Sequence, residues 1–589
     1  MFKQRIQQDL KSKVKELGFE SVDPLLSIPK NLNFGDYTTN IALQLANQKS
    51  NKSQQSVEKI AKQISKKMEE LEYLEKVEIA GPGFITTGSL KTPFINFFLK
   101  DRTLLENVPE VCNYSAFVNP EVELNQEKRK ILVEYASFNA LKPIHVGHLR
   151  NIVLGEAVCR LLETEGNEVF RVTYSSDIGL PSAKVIFGIN KLESKFKKAK
   201  KGSLKEKMDF LGEAYVLGAS AYEDDQDAKI EIDDINKKIY QRDSKFVSLW
   251  REILSWTFEY FKVIYKMVGT EFDAEFLESE VEALGSEIVR DNIGKVFEMD
   301  QGAIIFPGEA FGLHNRVFLT SVGNPTYEAK DMGLARIQYE AFPFDSAIHV
   351  VARDQEEYFK VIFKALEQIE PEIASKEMHL SYGYVNLPGG KMSSRTGNVL
   401  TLDWLLDEVN KAVKKIVDSD RSRVTPGMTD EEKQQVIDIV SIGAIKFSML
   451  KYAPQTDITF DIEKSVSLEG DSGPYLQYTY ARAKSVLRSA AYNYIPGAEA
   501  KDLEVEERAL LQKIEHFESI LEESAGDYSP NTLAEYLLEF ARSFNLFYQK
   551  HPIIKSGEKM ELRLALTCAV AVIIKQGLYL LGIEVPERM

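Results

Sequence analysis

Cysteine is scarce: three occur in 589 residues, Cys112, Cys159 and Cys568, and no two are close in sequence. That scarcity argues against a disulfide framework and against a cysteine-ligated zinc site, so no structural metal is expected. Long uninterrupted hydrophobic runs are also missing. The longest apolar stretch, Thr567 to Ile583, is broken by Lys575 and Gln576, which points to a buried helix rather than a membrane span. The opening Met1-Phe2-Lys3-Gln4-Arg5 has no apolar core of signal-peptide type, so cytoplasmic residence and no membrane partner are the expectation. Positive charge is outnumbered, 73 Lys and Arg against 89 Asp and Glu, a net of −16. A generic polyanion-coating protein is disfavoured, although local basic patches leave nucleic acid open. No repeat of fixed period and no low-complexity tract occurs. What remains is an ordinary soluble composition, 44% hydrophobic and 28% charged, in a chain long enough for several domains.

The order of patterns suggests a multidomain α/β protein with an all-α end. Residues 1–115 read as a small α+β domain. Ile6, Leu10, Val14 and Leu17 recur at helical spacing, Asn33-Phe34-Gly35-Asp36 is a turn, and runs at 77–80 and 94–99 suggest strands. A polar stretch over 119–130 reads as a linker. Residues 125–400 read as a parallel-sheet domain. Strand 130–135, a helix from about His148 to Glu163 and strand 169–174 have the strand–helix–strand order of crossover units. Residues of about 190–265 interrupt it with a charged helical insertion, basic at Lys195–Lys207 and acidic at Glu223–Asp234, whose bland reading is a solvated surface. Sheet-like runs resume at 302–306, 347–351 and 382–385. Residues 401–460 then read as a helical connecting segment and 461–589 as a helical bundle rich in aromatics.

Two strings carry the chemistry. Pro143-Ile144-His145-Val146-Gly147-His148-Leu149-Arg150 falls between the first strand and its helix, at the carboxyl edge of the sheet. Open α/β sheets bind ligands there, and helix N-termini offer unpaired N–H groups to phosphates. Gly147 would permit close backbone approach, and His145 and His148 could donate to phosphate oxygens. Two histidines three apart can equally be metal ligands or a satisfied surface pair. Gly389-Gly390-Lys391-Met392-Ser393-Ser394-Arg395 offers an ammonium on a Gly-rich loop that could neutralise a departing pyrophosphate, with Ser393 bonding phosphate. A solvated Gly-Gly-Lys turn is the alternative.

Together, His145-Val146-Gly147-His148 and Lys391-Met392-Ser393-Ser394 resemble the two motifs of class I aminoacyl-tRNA synthetases. Their surroundings narrow the resemblance to the arginyl-tRNA synthetase family: Val133-Glu134-Tyr135 with Ser137, Asn139 and Lys142-Pro143; Asn324-Pro325-Thr326-Tyr327 with Asp331; Asp354-Gln355; Gly473-Pro474-Tyr475-Leu476-Gln477-Tyr478; Pro586-Glu587-Arg588-Met589; and Phe34-Gly35-Asp36-Tyr37 near the start. The resemblance implies a Rossmann-type catalytic domain, an N-terminal domain touching the outer corner of the tRNA, and an anticodon-binding bundle. It implies arginyl-adenylate formation from L-arginine and ATP, then transfer to the terminal ribose of tRNA(Arg); a monomer is the default expectation. Mg2+ would accompany ATP, bound mainly through its phosphates. ATP would meet His145, Gly147, His148, Lys391, Met392 and Ser393. Tyr327 and Asp331 would meet the guanidinium; Glu134, Asn139 and Gln355 would complete the pocket and hold the α-amino group, with Ser137 nearby. A planar guanidinium with five donors is well matched to carboxylates, whereas lysine would fit such a fork poorly. Tyr548 and Met589 are the candidate tRNA contacts.

The chain departs from the family pattern in places. Ser394 stands where the class often has a second lysine, and Lys142 is expected to supply the missing charge beside Lys391. Phe138 replaces a common proline, Asp177-Ile178-Gly179-Leu180-Pro181 lacks the usual Trp-Gly, and Thr86–Thr92 reads as an extra loop. Rival readings are a class I synthetase for another amino acid and a non-catalytic tRNA-binding paralogue.

Overall fold

A computed structural model describes residues 2–20, 22–47, 56–80, 93–113, 128–142, 144–386, 401–419, 428–492 and 502–589. The Lys391-Met392-Ser393 string, Pro143 and the Thr86–Thr92 stretch lie outside the described residues. The first segment folds as its periodicity dictates: helix α1 (Phe2–Glu16) buries Phe2, Ile6, Leu10 and Val14 along one face. It joins α2 (Ile41–Ala46) and α3 (Val57–Met68) against an antiparallel sheet of β1 (Tyr37–Thr39), β2 (Leu74–Ala80) and β3 (Phe94–Leu99), ordered β1-β3-β2. Two short helices, α4 (Asp101–Leu105) and α5 (Val108–Cys112), follow.

The central domain is a five-stranded sheet in the order β11-β10-β4-β5-β6. Its strands are β4 (Lys130–Glu134), β5 (Glu168–Ser175), β6 (Ala274–Leu277), β10 (Ser346–Ala352) and β11 (Glu377–Tyr382), and every pairing is parallel. Strands run outward from β4 in one direction and from β10 in the other. The crevice between their carboxyl ends is therefore the topological switch point, where such sheets bind ligands. Helix α6 (Val146–Thr164) follows β4 and is buried on most sides, with Arg150, Asn151 and Glu156 buried among its apolar residues.

Between β5 and β6 stand α7 (Leu180–Lys191), α8 (Glu193–Ala199), α9 (Leu204–Asp224), α10 (Gln226–Tyr240) and α11 (Ser244–Met267). The insertion has its own apolar core, with Phe196, Phe210, Ile232, Trp250 and Trp256, that continues into Leu141 and Ile178. Its charged faces are solvated ion pairs such as Lys195–Glu213 and Lys191–Glu231. The run at 302–306, read from sequence with the sheet strands, belongs elsewhere. It is the middle strand of an antiparallel sheet, β7 (Glu298–Asp300), β8 (Ala303–Phe306) and β9 (Arg316–Leu319), between α12 (Glu278–Asp291) and α13 (Tyr327–Ala341). Its alternation is the same as that of a sheet strand, and alternation does not say which sheet. Helices α12 and α13 cross at glycines: a Cβ on Gly285 would fall 2.0 Å from the Ala329 carbonyl oxygen, and one on Gly333 2.6 Å from that of Val281.

After α14 (Glu356–Ile369), the short α15 (Pro371–Ala374) and β11, strand β12 (Val385–Asn386) pairs in parallel with β13 (Ile458–Thr459). The rest is helical: α16 (Leu402–Ser419), α17 (Asp430–Leu450), α18 (Ile462–Ser465), α19 (Gly473–Ser489), α20 (Val505–Gly526), α21 (Pro530–Lys550) and α22 (Met560–Leu580). The segment Gly557–Leu580 is long and apolar enough to cross a membrane, but 78% of its most apolar stretch is buried inside the fold. The stretch read as a buried helix is one. The two ends of the chain meet through α20. Glu515 accepts hydrogen bonds from the Phe2 amide at 2.8 Å, the Tyr37 hydroxyl at 2.9 Å and the Asn107 side chain. Gln512 donates to Asp36 at 2.7 Å.

Candidate functional site

A cavity of about 420 Å³ opens at the switch point. Glu134, Ser137, Asn139, Lys142, Tyr327, Asp331 and Gln355 all line it, so every residue assigned to the arginine pocket from sequence meets there, with Lys142 beside them. The turn after β4 brings in the first group. Ala136 holds φ at +57°, an uncommon conformation for a residue with a Cβ, and its amide is fixed by Asn151 Oδ1 at 2.5 Å. The turn presents the Ser137 hydroxyl, which donates to Glu134 at 3.1 Å and accepts from the Tyr174 amide at 3.2 Å. Asn139 donates to Ser176 Oγ at 3.1 Å and accepts from the Leu141 amide at 3.2 Å.

The second wall is one face of α13. Tyr327, Asp331 and Gln338 succeed one another at steps of four and seven, so they share that face. Tyr327 is 53% exposed at the helix start. Asp331 is enclosed, and its hydrogen-bond partner is the Tyr358 hydroxyl at 2.6 Å. Burial pushes its carboxyl up to about 8; the Tyr358 bond and His349 oppose that, and the Glu134 and Glu278 charges add to it. Gln355, exposed at the start of α14, completes the rim.

Sequence reading missed several participants. Gln338 donates to Glu134 Oε2 at 2.8 Å, and the helical repeat from Asp331 could have found it. His349 bridges two carboxylates, with Nδ1 at 3.3 Å from Glu134 and Nε2 at 2.5 Å from Glu377. The pairing of β10 with β4 sets His349 directly beside Glu134, a neighbourhood that no local pattern reveals. Burial alone would raise the Glu134 carboxyl, but His349, Gln338 and Ser137 together hold it below its usual value. Glu278 is paired with Lys330 at 2.5 Å, both buried. The Tyr174 hydroxyl is buried without a hydrogen-bond partner in the same cavity.

His145 and His148 form the N-terminus of α6. His145 caps the helix, its Nδ1 accepting from the Gly147 amide at 3.2 Å, and His148 Nδ1 accepts from the His145 amide at 3.1 Å. With both Nδ1 atoms used as acceptors, each ring carries its proton on Nε2 and is a neutral donor. Burial lowers both histidines further, helped by Lys142, and for His148 also by His145. The rings stack with centroids 3.7 Å apart. A Cβ on Gly147 would lie 3.1 Å from the His145 ring, so this glycine also makes room for the imidazole.

The motif's next basic residue has a different task. Arg150 is 1% exposed and donates to the carbonyls of Gly383 at 2.7 Å, Thr456 at 2.8 Å and Pro454 at 3.0 Å, with longer contacts to Tyr384 and Ala453. Burial pushes its guanidinium down to about 10, so it stays charged at neutral pH. Thr401 forms a β-bridge with His145. The described residues on either side of 387–400 are thus both tied to the His145–Arg150 string.

In the helical third, Tyr480, Phe544 and Phe547 are core. Tyr548 is 40% exposed, and the Arg482 guanidinium sits 5.1 Å from its ring centre and 4.7 Å from that of Tyr478. Met589 is half-buried in a narrow apolar crevice with Val413, Val436 and Val440.

Residues 115–462 match the family described as tRNA synthetases class I (R), catalytic domain; residues 476–589 match the DALR anticodon binding domain, and 2–87 the arginyl tRNA synthetase N terminal domain. The arginine–tRNA ligase of Porphyromonas gingivalis is 30% identical over 524 residues, 84% of this chain and 86% of that one. That of Amoebophilus asiaticus is 31% identical over 525 residues, with the same coverage. The arginyl-tRNA synthetase structure from Thermus thermophilus superposes with a TM-score of 0.81 at 26% identity, each chain covered completely. One from Plasmodium falciparum shares the fold, with a TM-score of 0.77 at 20% identity. The chain belongs to the class I arginyl-tRNA synthetases.

Proposed function

We propose that the switch-point cavity is the arginine site of an arginine–tRNA ligase used in translation. The observation that carries this reading is Asp331, a carboxyl pushed up to about 8 by burial in a cavity that also holds Glu134, Glu278 and Glu377. Four enclosed acids, Glu134, Glu278, Asp331 and Glu377, outnumber the Lys330 and His349 side chains paired with them, which suits a ligand carrying a guanidinium and an ammonium. Tyr327 and Asp331 face the guanidinium. Glu134, Asn139 and Gln355 hold the α-ammonium end, with Ser137 fixing Glu134.

In the first step the arginine carboxylate attacks the α-phosphorus of ATP; the bond to the β-phosphate breaks and pyrophosphate leaves with the negative charge. The Nε2–H groups of His145 and His148 donate to phosphate oxygens as that charge develops. Being neutral and already oriented by their Nδ1 bonds, they need no rearrangement to do so. Gly147 admits the nucleotide to the backbone. Lys391, with Met392 and Ser393 next to it in sequence, and Lys142 neutralise the leaving pyrophosphate, Lys142 standing in for the lysine replaced by Ser394. In the second step a terminal ribose hydroxyl of tRNA(Arg) attacks the carbonyl carbon, AMP leaves, and the hydroxyl proton departs with it. Mg2+ is expected to travel with ATP through its phosphates.

Tyr548, with Arg482 over its ring, is a stacking surface for an unpaired anticodon base, and Met589 lies in the same helical third. The chain is taken as a cytoplasmic monomer of four segments, 1–115, 125–400, 401–460 and 461–589, and equilibrium sedimentation tests its oligomeric state. Pyrophosphate exchange measured across the amino acids, with and without tRNA, tests the whole reading. Exchange is expected with L-arginine when tRNA(Arg) is present. Exchange with another amino acid supports the first rival, and no arginine-dependent exchange refutes the assignment.

A further inference from the structure

His349 has no part in the steps above, yet it occupies the centre of the acidic cluster. It stands on β10 directly beside Glu134 of β4, and Glu377 of β11 reaches it from the other side. Its ring is packed near Phe359 and Phe363 of α14, at centroid distances of 5.6 Å and 6.1 Å. The charged and titratable groups around it are Glu134, Glu377, Asp331 of α13 and His379 of β11. His379 has Nε2 at 3.0 Å from the Val351 carbonyl; it therefore donates there, and burial keeps it neutral.

Geometry bears on the state of His349. Nε2 is hydrogen-bonded to Glu377 at 2.5 Å and Nδ1 lies 3.3 Å from Glu134, within ion-pair distance, and an ionised carboxylate only accepts hydrogen bonds. A neutral imidazole has one N–H and could satisfy one of the two acids; the other would face it lone pair to lone pair. We propose that His349 is a positioning residue of the arginine site: bridging Glu377 and Glu134 as an imidazolium, it keeps Glu134 ionised and aimed at the substrate's ammonium group. The proposal rests on the assignment of the cavity to arginine. Glu134 Oε2 is held by His349 and Gln338, and Oε1 by Ser137, so the carboxylate cannot rotate without breaking all three contacts. Glu377 supplies the second charge that holds the ring cationic. Consistent with this geometry, the two carboxylates outweigh burial and raise the imidazole well above its usual value.

The chemistry makes an asymmetric demand. Without the cation, Glu134 and Glu377 become two enclosed acids sharing one site, and one of them takes a proton. A protonated Glu134 is a poor partner for an ammonium. The test uses His349→Gln, which retains a donor but not the charge, and the double variant His349→Gln/Glu377→Gln, which also removes the competing acid. Arginine charging of tRNA(Arg) is measured as a function of arginine and of ATP. His349→Gln is expected to raise the arginine KM on the order of tenfold to a hundredfold, the scale of a lost hydrogen bond to a buried charge, with the ATP KM little changed. It should also steepen the dependence of that KM on pH between 6 and 8. The double variant is expected to recover part of the affinity and remove the added pH dependence, which a merely structural role for His349 would not do. Nitrogen NMR of the wild-type protein at pH 8 needs no variant, and is expected to show both ring nitrogens of His349 protonated. A neutral ring in that spectrum, or an unchanged arginine KM in a folded His349→Gln protein, overturns the proposal. Failure of the wild type to charge arginine would instead refute the assignment of the cavity.

Discussion

On the proposed assignment Asp331 makes arginine affinity depend on pH, and the sign and size follow from its surroundings. Burial holds the carboxyl at about 8 in the free pocket, far above an ordinary aspartate. The guanidinium remains charged throughout the accessible range, and it needs an ionised partner. Below pH 8 the pocket must release a proton before it can pair with the ligand, so affinity is full above that value and is lost as pH falls through it. Each pH unit below costs about 1.4 kcal/mol, a factor of roughly ten in Kd. Between pH 8, where half the sites are ionised, and pH 6, where about one in a hundred is, Kd should rise roughly fiftyfold. Calorimetry of arginine binding at pH 6, 7 and 8, in two buffers of different ionisation enthalpy, reads both the affinity and the released proton. Asp331→Asn should flatten the profile and weaken binding at pH 8 by about 1.5–3 kcal/mol, the scale of a hydrogen bond to a charged group. His349 does not complicate the window if its flanking carboxylates keep it charged throughout. A wild-type Kd at pH 6 within twofold of that at pH 8 would refute the reasoning, since an enclosed acid that must ionise on binding cannot hide two units of titration.

Lys142→Ala should lower the rate of arginine-dependent pyrophosphate exchange by about a hundredfold without unfolding the protein, the scale of one transition-state charge contact; unchanged exchange would return the whole task to the Lys391 loop. Arg150→Met leaves enclosed carbonyls of Gly383, Pro454 and Thr456 without their donor. It should cost on the order of 3 kcal/mol in denaturant unfolding and depress exchange as well, because residues 383–384 precede the Lys391 loop. Gly35 holds φ at +118°, and a Cβ there would meet the Phe97 carbonyl oxygen at 2.9 Å. Gly35→Ala should therefore destabilise the protein by about 1–3 kcal/mol in the same assay. Tyr548→Ala should raise the tRNA KM by an amount equivalent to about 1–3 kcal/mol, the worth of one stacked base, while leaving the arginine KM unchanged.

The residues expected at an arginine pocket were legible as a set because spacing within single elements carries much of it. Tyr327 and Asp331 lie one helical turn apart on α13, and Glu134 ends β4 with Ser137 and Asn139 in the turn that follows. Across elements the pairing that makes the site work left no local trace. His349 reads as an unremarkable position in an apolar strand, and only the order β11-β10-β4 brings it between Glu377 and Glu134. Arg150 is a similar case. Sequence placed it at the end of a nucleotide motif, where a cation suggests phosphate, yet its hydrogen bonds go to main-chain carbonyls 233 to 306 residues away in the chain. The string Phe34-Gly35-Asp36-Tyr37 was recognisable but had no role to attach, because its partners Gln512, Glu515 and His516 sit on α20 near the other end of the chain. Local patterns thus identify which residues face a ligand; long-range pairing decides their charge state, and charge state decides what the ligand can be. On the proposed assignment the cavity suits a ligand with two positive groups because the order β11-β10-β4 sets His349 between Glu377 and Glu134 while α13 adds Asp331, a grouping that the same residues in another strand order would not produce.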